Sequence, residues 1–174
     1  MANCGGSARR GLRGVGTLIF ATVGTQLPFP RFINALDAIA ARRGLHVVAQ
    51  TCDPGARPKT VEAHVHLPPA RFDALIAESC IIVGHAGMGT ILCAMRARKP
   101  VILFPRRAAL NEHRNDHQLA TVAGLRDRTG VNIAEDEAEL EGLLTRSDLT
   151  PATFEEHPTR RRLIAYLRNF LDTA

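Results

Sequence analysis

Short apolar runs alternate along this chain with longer stretches in which apolar residues recur every three or four positions. Residues 17–23 (TLIFATV) form an apolar, β-branched run that stops at Gly24, the pattern of a buried strand entering a turn. Residues 29–43 place Phe32, Leu36, Ile39 and Ala40 at helical spacing, with Pro30 near the start and Gly44 just past the end, which predicts a helix. Two further strand-like runs, 45–50 and 61–65, flank the turn signal Asp53-Pro54-Gly55. Pro68-Pro69 opens a predicted helix ending near Ser79. Then follow a strand over 80–84, a loop over 85–89, a helix over 90–97 and a strand over 101–104 that Pro105 stops. Asn111 or Asn115 is expected to cap a helix running to Gly124. A weak strand over 131–133 and an acidic helix over 135–145 complete the alternation.

Strands that read as continuous apolar runs and alternate with helices predict an α/β fold, a parallel sheet covered on both faces. Ligands bind such sheets at the carboxyl ends of the strands. The loops after the first, fourth and fifth strands are therefore the places to look for a site, and they hold the chain's concentration of Gly, His, Asn and Asp. This domain is expected to span 17–146. Before it lies a Gly- and Arg-rich arm, 1–16, read as flexible; after it come a Pro-containing linker, 147–158, and an amphipathic helix over 159–174. That helix carries Leu163, Ile164, Leu167, Phe170 and Leu171 on one stripe and Arg160, Arg161, Arg162 and Arg168 elsewhere. It suits packing on its own domain, or docking on a partner subunit or an acidic membrane surface.

A chain of 174 residues that is 45% hydrophobic fits one domain with a real core. Its longest apolar runs are strand-sized, far below the ~20 residues of a membrane-spanning helix. The first sixteen residues lack the apolar segment of a secretory signal, and the four cysteines lack CxxC pairing, so a reducing, cytoplasmic compartment is expected. The net charge of +5 favours anionic partners. With no Trp and one Tyr, the stacking platform of a single-strand nucleic-acid binder is missing, which argues against nucleic acid.

Among the three loops, Gly24-Thr25 would offer backbone N–H groups and a hydroxyl to a phosphate, with Thr22 just before it, although an ordinary strand-to-helix turn reads the same way. Neither GxGxxG nor GxxxxGK[ST] is present. His85-Ala86-Gly87-Met88-Gly89-Thr90 is better placed, because two glycines let the backbone curl against a ligand and Thr90 opens a helix whose amino end favours a diphosphate. The third segment, 105–118, holds Arg106, Glu112, His113, Asp116, His117 and Gln118, side chains that donate to and accept from sugar hydroxyls. Two other readings stay open there: His113 and His117 at i, i+4 as metal ligands, although the HExxH order is absent, and a solvated charged helix cap.

Together the strings Thr22-Val23-Gly24-Thr25, GHAGMGT and PRRxxLxEHRxDHQ resemble the carboxyl-terminal domain of family-28-type glycosyltransferases of the GT-B fold, over residues 18 to about 145. The likeness is nearest to small, separately encoded donor-binding subunits, from eukaryotic dolichol-linked N-acetylglucosamine transfer and, by the third string above all, from bacterial exopolysaccharide assembly. The resemblance implies a Rossmann-like half of a GT-B fold and an inverting transferase subunit that uses a nucleotide sugar, a UDP-sugar first, and requires no cofactor or metal. It implies that His85, Gly87, Gly89 and Thr90 meet the diphosphate, with Met88, between them, also in the donor-binding set. Asp116, His117 and Gln118 would meet the sugar, and Leu67 stands where relatives often stack a Trp on the base. Many relatives carry a ribose-binding Glu where this chain has Cys93. The general base and the lipid-linked acceptor are expected on a membrane-anchored partner subunit, which would hold this chain at the inner face of the membrane. In isolation a homo-oligomer is possible. A non-catalytic nucleotide-sugar-binding scaffold, or an epimerase or hydrolase of the same architecture, is the alternative.

Overall fold

The computed structural model describes residues 17–153; the expected arm, 1–16, and terminal helix, 159–174, lie outside the described residues. Six parallel strands form one sheet in the order β3-β2-β1-β4-β5-β6. They are β1 (Leu18–Thr22), β2 (His46–Gln50), β3 (Glu62–His64), β4 (Ile81–Gly84), β5 (Val101–Leu103) and β6 (Val131–Ile133). The helices are α1 (Pro30–Arg43), α2 (Pro69–Glu78), α3 (Met88–Ala97), α4 (His117–Ala123) and α5 (Glu137–Leu144). The expected α/β, Rossmann-like class is the observed one.

Alternation along each buried strand sorts side chains into two layers, as the pleat requires. Ile19, Ala21, Val47, Val83 and Ile102 face a cluster completed by Phe32, Leu36 and Ile39 of α1 and Leu140 and Leu144 of α5. Phe20, Val48, Ile82, Val101 and Leu103 face the opposite cluster, with Leu75 of α2, Ile91 and Met95 of α3 and Val122 of α4. Each of the fully buried Val, Leu, Ile, Phe and Met side chains contributes about 1.5–3 kcal/mol by leaving water, so the two layers account for most of the driving force.

Local chemistry fixes the element ends. Pro30 occupies the first turn of α1, and Gly44 ends it in the left-handed region at φ 64°. Asp136 accepts from the N–H of Glu139 while the Glu139 carboxylate accepts from the N–H of Glu135, a reciprocal cap on α5. Asp37 of α1 accepts the backbone N–H groups of Lys59, Thr60 and Val61 and so fastens the loop before β3; those bonds hold its pKa low against the opposing effect of its burial, the largest single influence on it.

Three boundaries differ from expectation. Helix α3 starts at Met88, two residues before Thr90, because Gly87 already takes the extended N-cap conformation. Neither Asn111 nor Asn115 caps α4: Asn111 sits in the left-handed region at φ 55°, closing a single 3₁₀ turn over Ala108–Leu110, and Asp116 is the N-cap residue. Strand β3 is only Glu62–His64, a short edge strand with Glu62 and Ala63 exposed. Within the expected linker, Ala152 is fully buried and donates its N–H to the Lys99 carbonyl, so that stretch packs on the domain.

Candidate functional site

The carboxyl ends of β1, β2, β4 and β5 open into a cleft of about 320 Å³. Its wall includes Thr22, Gly24, Thr25, His85, Gly89, Thr90, Arg106, His113 and Gln118 from the expected set. Gln50, Phe72 and Cys93 also line it. Among the described residues lining the cleft there is no carboxylate.

The β1 and β4 loops form the floor. Gly24 has φ 85°, a conformation glycine takes without penalty, and its N–H is held by the Thr22 hydroxyl. The His85 ring lies between two glycines: a Cβ on Gly24 would stand 3.0 Å from its Cε1 and one on Gly87 2.2 Å from its Nε2. Gly87 is therefore glycine because the imidazole occupies the place of its side chain. Gly89 differs, because a Cβ there would meet no protein atom within 4 Å; nothing in the fold demands glycine at that position. No side chain caps α3, so the N–H groups of its first turn remain open to a ligand, with the positive end of the helix dipole behind them. Burial, reinforced by the positive charge of Arg106 and opposed by the Thr22 carbonyl, pushes the His85 pKa down to about 4. The ring is neutral at pH 7, and its buried Nδ1 has no protein partner.

The β5–α4 segment is built differently, and several residues expected to meet a sugar bind the protein itself. Glu112 is paired with Arg31 of α1 through both oxygens, one of them 2.9 Å from Nη2, and it also accepts the Arg107 N–H. Those bonds hold its carboxyl below the usual range even though burial, the largest single influence, pushes the other way. Asp116 accepts the Ala108 N–H at 2.8 Å. Gln118, 3% exposed, accepts with one oxygen from the N–H groups of Ala86 and Arg106, tying the β4 loop to the β5 loop. His117 is exposed and bonded to Asn115. Its ring meets that of His113 edge-on at 4.5 Å. Among the described residues no third His, Cys, Asp or Glu completes a metal-ligating group with this pair. Thus Glu112, Asp116 and His117 stand outside the cleft wall, as do Met88, which is exposed, and Leu67, which packs on the core.

Sequence reasoning missed Arg31, Gln50 and Phe72. Gln50, buried at the end of β2, donates to the Gly24 carbonyl at 2.8 Å and accepts the Leu67 N–H at 3.0 Å, joining the β1 loop to the segment before α2. Phe72, edge-on to Phe20 at 5.1 Å, supplies an aromatic ring to the cleft that was not expected there. It stands in α2, five positions beyond Leu67, a placement only the fold reveals.

Solved structures share this architecture. The solution structure of ALG13 is 16% identical with a TM-score of 0.58 over 85% of this chain and 94% of that one. The crystal structure of MurG from Acinetobacter baumannii is 17% identical with a TM-score of 0.56, over 79% of this chain and 44% of that one. A UDP-GlcNAc 2-epimerase from Methanocaldococcus jannaschii, solved in complex with UDP-GlcNAc and UDP, is 8% identical with a TM-score of 0.56 over 88% of this chain and 45% of that one. The chain thus spans less than half the length of the MurG and epimerase structures. At these identities the likeness establishes the fold, the carboxyl-terminal half of a GT-B architecture. No curated protein sequence matches the chain significantly. A family model does, over residues 18–160, and by that match the chain belongs to the glycosyltransferase family 28 C-terminal domain family.

Proposed function

We propose that this chain binds the nucleotide-sugar donor, a UDP-sugar, for an inverting glycosyl transfer in which a second, membrane-anchored polypeptide holds a lipid-linked acceptor. The observation that carries the reading is the uncapped amino end of α3 beside a neutral, half-buried His85, in a cleft whose described lining residues include no carboxylate. In the reaction an acceptor oxygen bonds to the anomeric carbon as the bond from that carbon to the diphosphate breaks. The acceptor proton passes to a base on the partner. The negative charge growing on the leaving diphosphate meets the first-turn N–H groups of α3, preorganised donors of the kind that stabilise a developing anion. His85, Gly24, Thr25 and Thr90 complete the phosphate site. Gln118 and His113 face the sugar, with exopolysaccharide assembly the expected setting and the inner face of the membrane the expected place.

Titration calorimetry of the chain with UDP, UDP-sugars, GDP and uridine tests the donor reading. UDP is expected to bind, and uridine much more weakly; binding of no nucleoside diphosphate, or equal binding of UDP and uridine, overturns it. Sedimentation and transferase assays test the two-polypeptide reading, which robust transfer by the chain alone would sink. A second reading, a nucleotide-sugar-binding scaffold without catalysis, is favoured by Cys93, a poor ribose partner in the cleft wall.

A further inference from the structure

Arg106 has the chemistry of a phosphate ligand, but its geometry gives it a different role. The residue lines the cleft but is only 2% exposed, and both of its terminal nitrogens are taken up by backbone carbonyls. Nη1 donates to the carbonyls of Pro28 at 2.7 Å and Glu112 at 3.3 Å; Nη2 donates to those of Leu27 at 2.6 Å and Val23 at 3.4 Å. A guanidinium carries five N–H groups, so only Nε–H is left over. The Phe29 ring lies beneath it, 4.4 Å from centroid to Cζ. Three of those carbonyls belong to the β1–α1 loop, which forms one wall of the cleft. The Arg106 N–H, through Gln118, reaches the β4 loop that forms the floor.

The charge is as unusual as the bonding. A buried cation ordinarily has an anionic partner, because a charge removed from water is costly unless paired. Here the nearest candidate, Glu112, gives both oxygens to Arg31 and acts on Arg106 only through space, while the hydrogen bonds of the Arg106 side chain go to neutral carbonyls and its face to an aromatic ring. Arg31, Glu112 and Arg106 together leave one positive charge in the protein beside a cleft whose described lining residues include no carboxylate. The charge is felt in the cleft, since it is the chief electrostatic cause of the lowered pKa of His85.

We propose that Arg106 is a positioning residue and a buried countercharge for the donor diphosphate: it attracts the diphosphate through space while clamping the β1–α1 loop, and makes no direct bond to it. This rests on the donor-site reading above. The ligand's own charge replaces the missing carboxylate, so the apoprotein holds an electrostatic imbalance that donor binding relieves. In a medium of intermediate dielectric such a charge a few ångströms from a diphosphate strengthens its binding by about tenfold or more.

Calorimetric affinities for uridine, UMP and UDP, measured on the full chain and on Arg106→Met and Arg106→Lys, decide it. In R106M the preference for UDP over uridine should fall about tenfold, with UMP between the two. R106K keeps the charge and should keep that preference within about threefold of the unsubstituted chain. The His85 imidazole, followed by NMR titration, should move up from about 4 in R106M. An equal loss of affinity for all three ligands in R106M, or loss of the preference in R106K, overturns the countercharge. Should R106M fail to fold by circular dichroism, R106K alone decides by the same criterion. If the unsubstituted chain does not bind UDP, the donor-site reading itself fails, an outcome distinct from either of these.

Discussion

The β4–α3 turn and the β5–α4 segment both concentrate residues that carry chemistry, yet they use them in opposite ways. In the first, glycines and a helix end shape a surface that the protein leaves open: Gly87 yields its side-chain space to His85, a Cβ on Gly89 would touch nothing, and no side chain caps α3. In the second, the polar groups bond to the protein itself: Glu112 holds Arg31, Asp116 holds a backbone N–H, Gln118 joins two loops, and Arg106 grips carbonyls. A ligand site is thus marked by groups the fold does not satisfy, and a dense run of polar side chains marks a scaffold as readily as a site.

The largest effect that separates the two regions is the proton affinity of His85. Its ordinary value of 6.5 falls to about 4 in the folded chain, so the unfolded chain binds a proton between those limits that the folded chain refuses. The associated stability is full above pH 6.5, declines as pH falls, and is lost by about pH 4, a total of roughly 3 kcal/mol. Urea midpoints between pH 4 and 8 should show this slope, and His85→Asn should flatten it. A slope unchanged in the variant would place the depressed imidazole elsewhere.

Next in size is Glu112→Gln. Loss of the paired carboxylate beside Arg31, whose side chain is 28% exposed against 10% for Glu112, should cost about 2 kcal/mol at pH 7. The folded pKa of Glu112 lies below its ordinary 4.5, so this stability is present above that value and is lost as pH falls through the lowered one; the two proteins should converge in acid. Melts at pH 7 and pH 3 check it. Were Glu112 a sugar ligand instead, the variant would keep its stability and lose only its preference for the donor sugar over UDP.

How much of this was legible in the sequence follows from range. Strands β1, β2, β4 and β5 are visible as apolar runs, and the turns after β1 and β4 as a glycine pattern, because these signals lie within a few residues of what they specify. Arg31 and Glu112 are 81 positions apart, and Gln50 and Gly24 are 26 apart; neither contact has a local trace. The start of α3 was misplaced by two residues because Gly87 adopts a cap conformation without any capping side chain. Asn111 looked like a cap and instead closes a 3₁₀ turn in the left-handed region, a second role for which asparagine is suited.

Gly89→Ala sharpens the contrast within one turn of helix. A methyl group there meets no protein atom, and alanine favours the helix by about 0.5–1 kcal/mol, so thermal stability should rise slightly. The same methyl group projects toward the cleft that Gly89 lines, and UDP affinity should fall about tenfold, or 1.4 kcal/mol. Paired melting and calorimetry on one preparation read both. A rise in stability with unchanged affinity would move the diphosphate away from this turn.

The smallest expected effect concerns Cys93, which lines the cleft one turn of α3 beyond Gly89. A thiol is a weak hydrogen-bond acceptor, whereas a carboxylate accepts strongly from a vicinal diol. Cys93→Glu should therefore favour a ribose with both hydroxyls, although the added negative charge repels the diphosphate and offsets part of the gain. The net rise in UDP affinity is expected to be about threefold, with uridine gaining more because it carries no phosphate. Comparing UDP with 2′-deoxy-UDP isolates the diol: the preference for UDP should grow about fivefold in the variant. An equal change for both nucleotides would show that position 93 acts on the diphosphate alone, and would leave the ribose to the Phe72 and Gln50 end of the cleft.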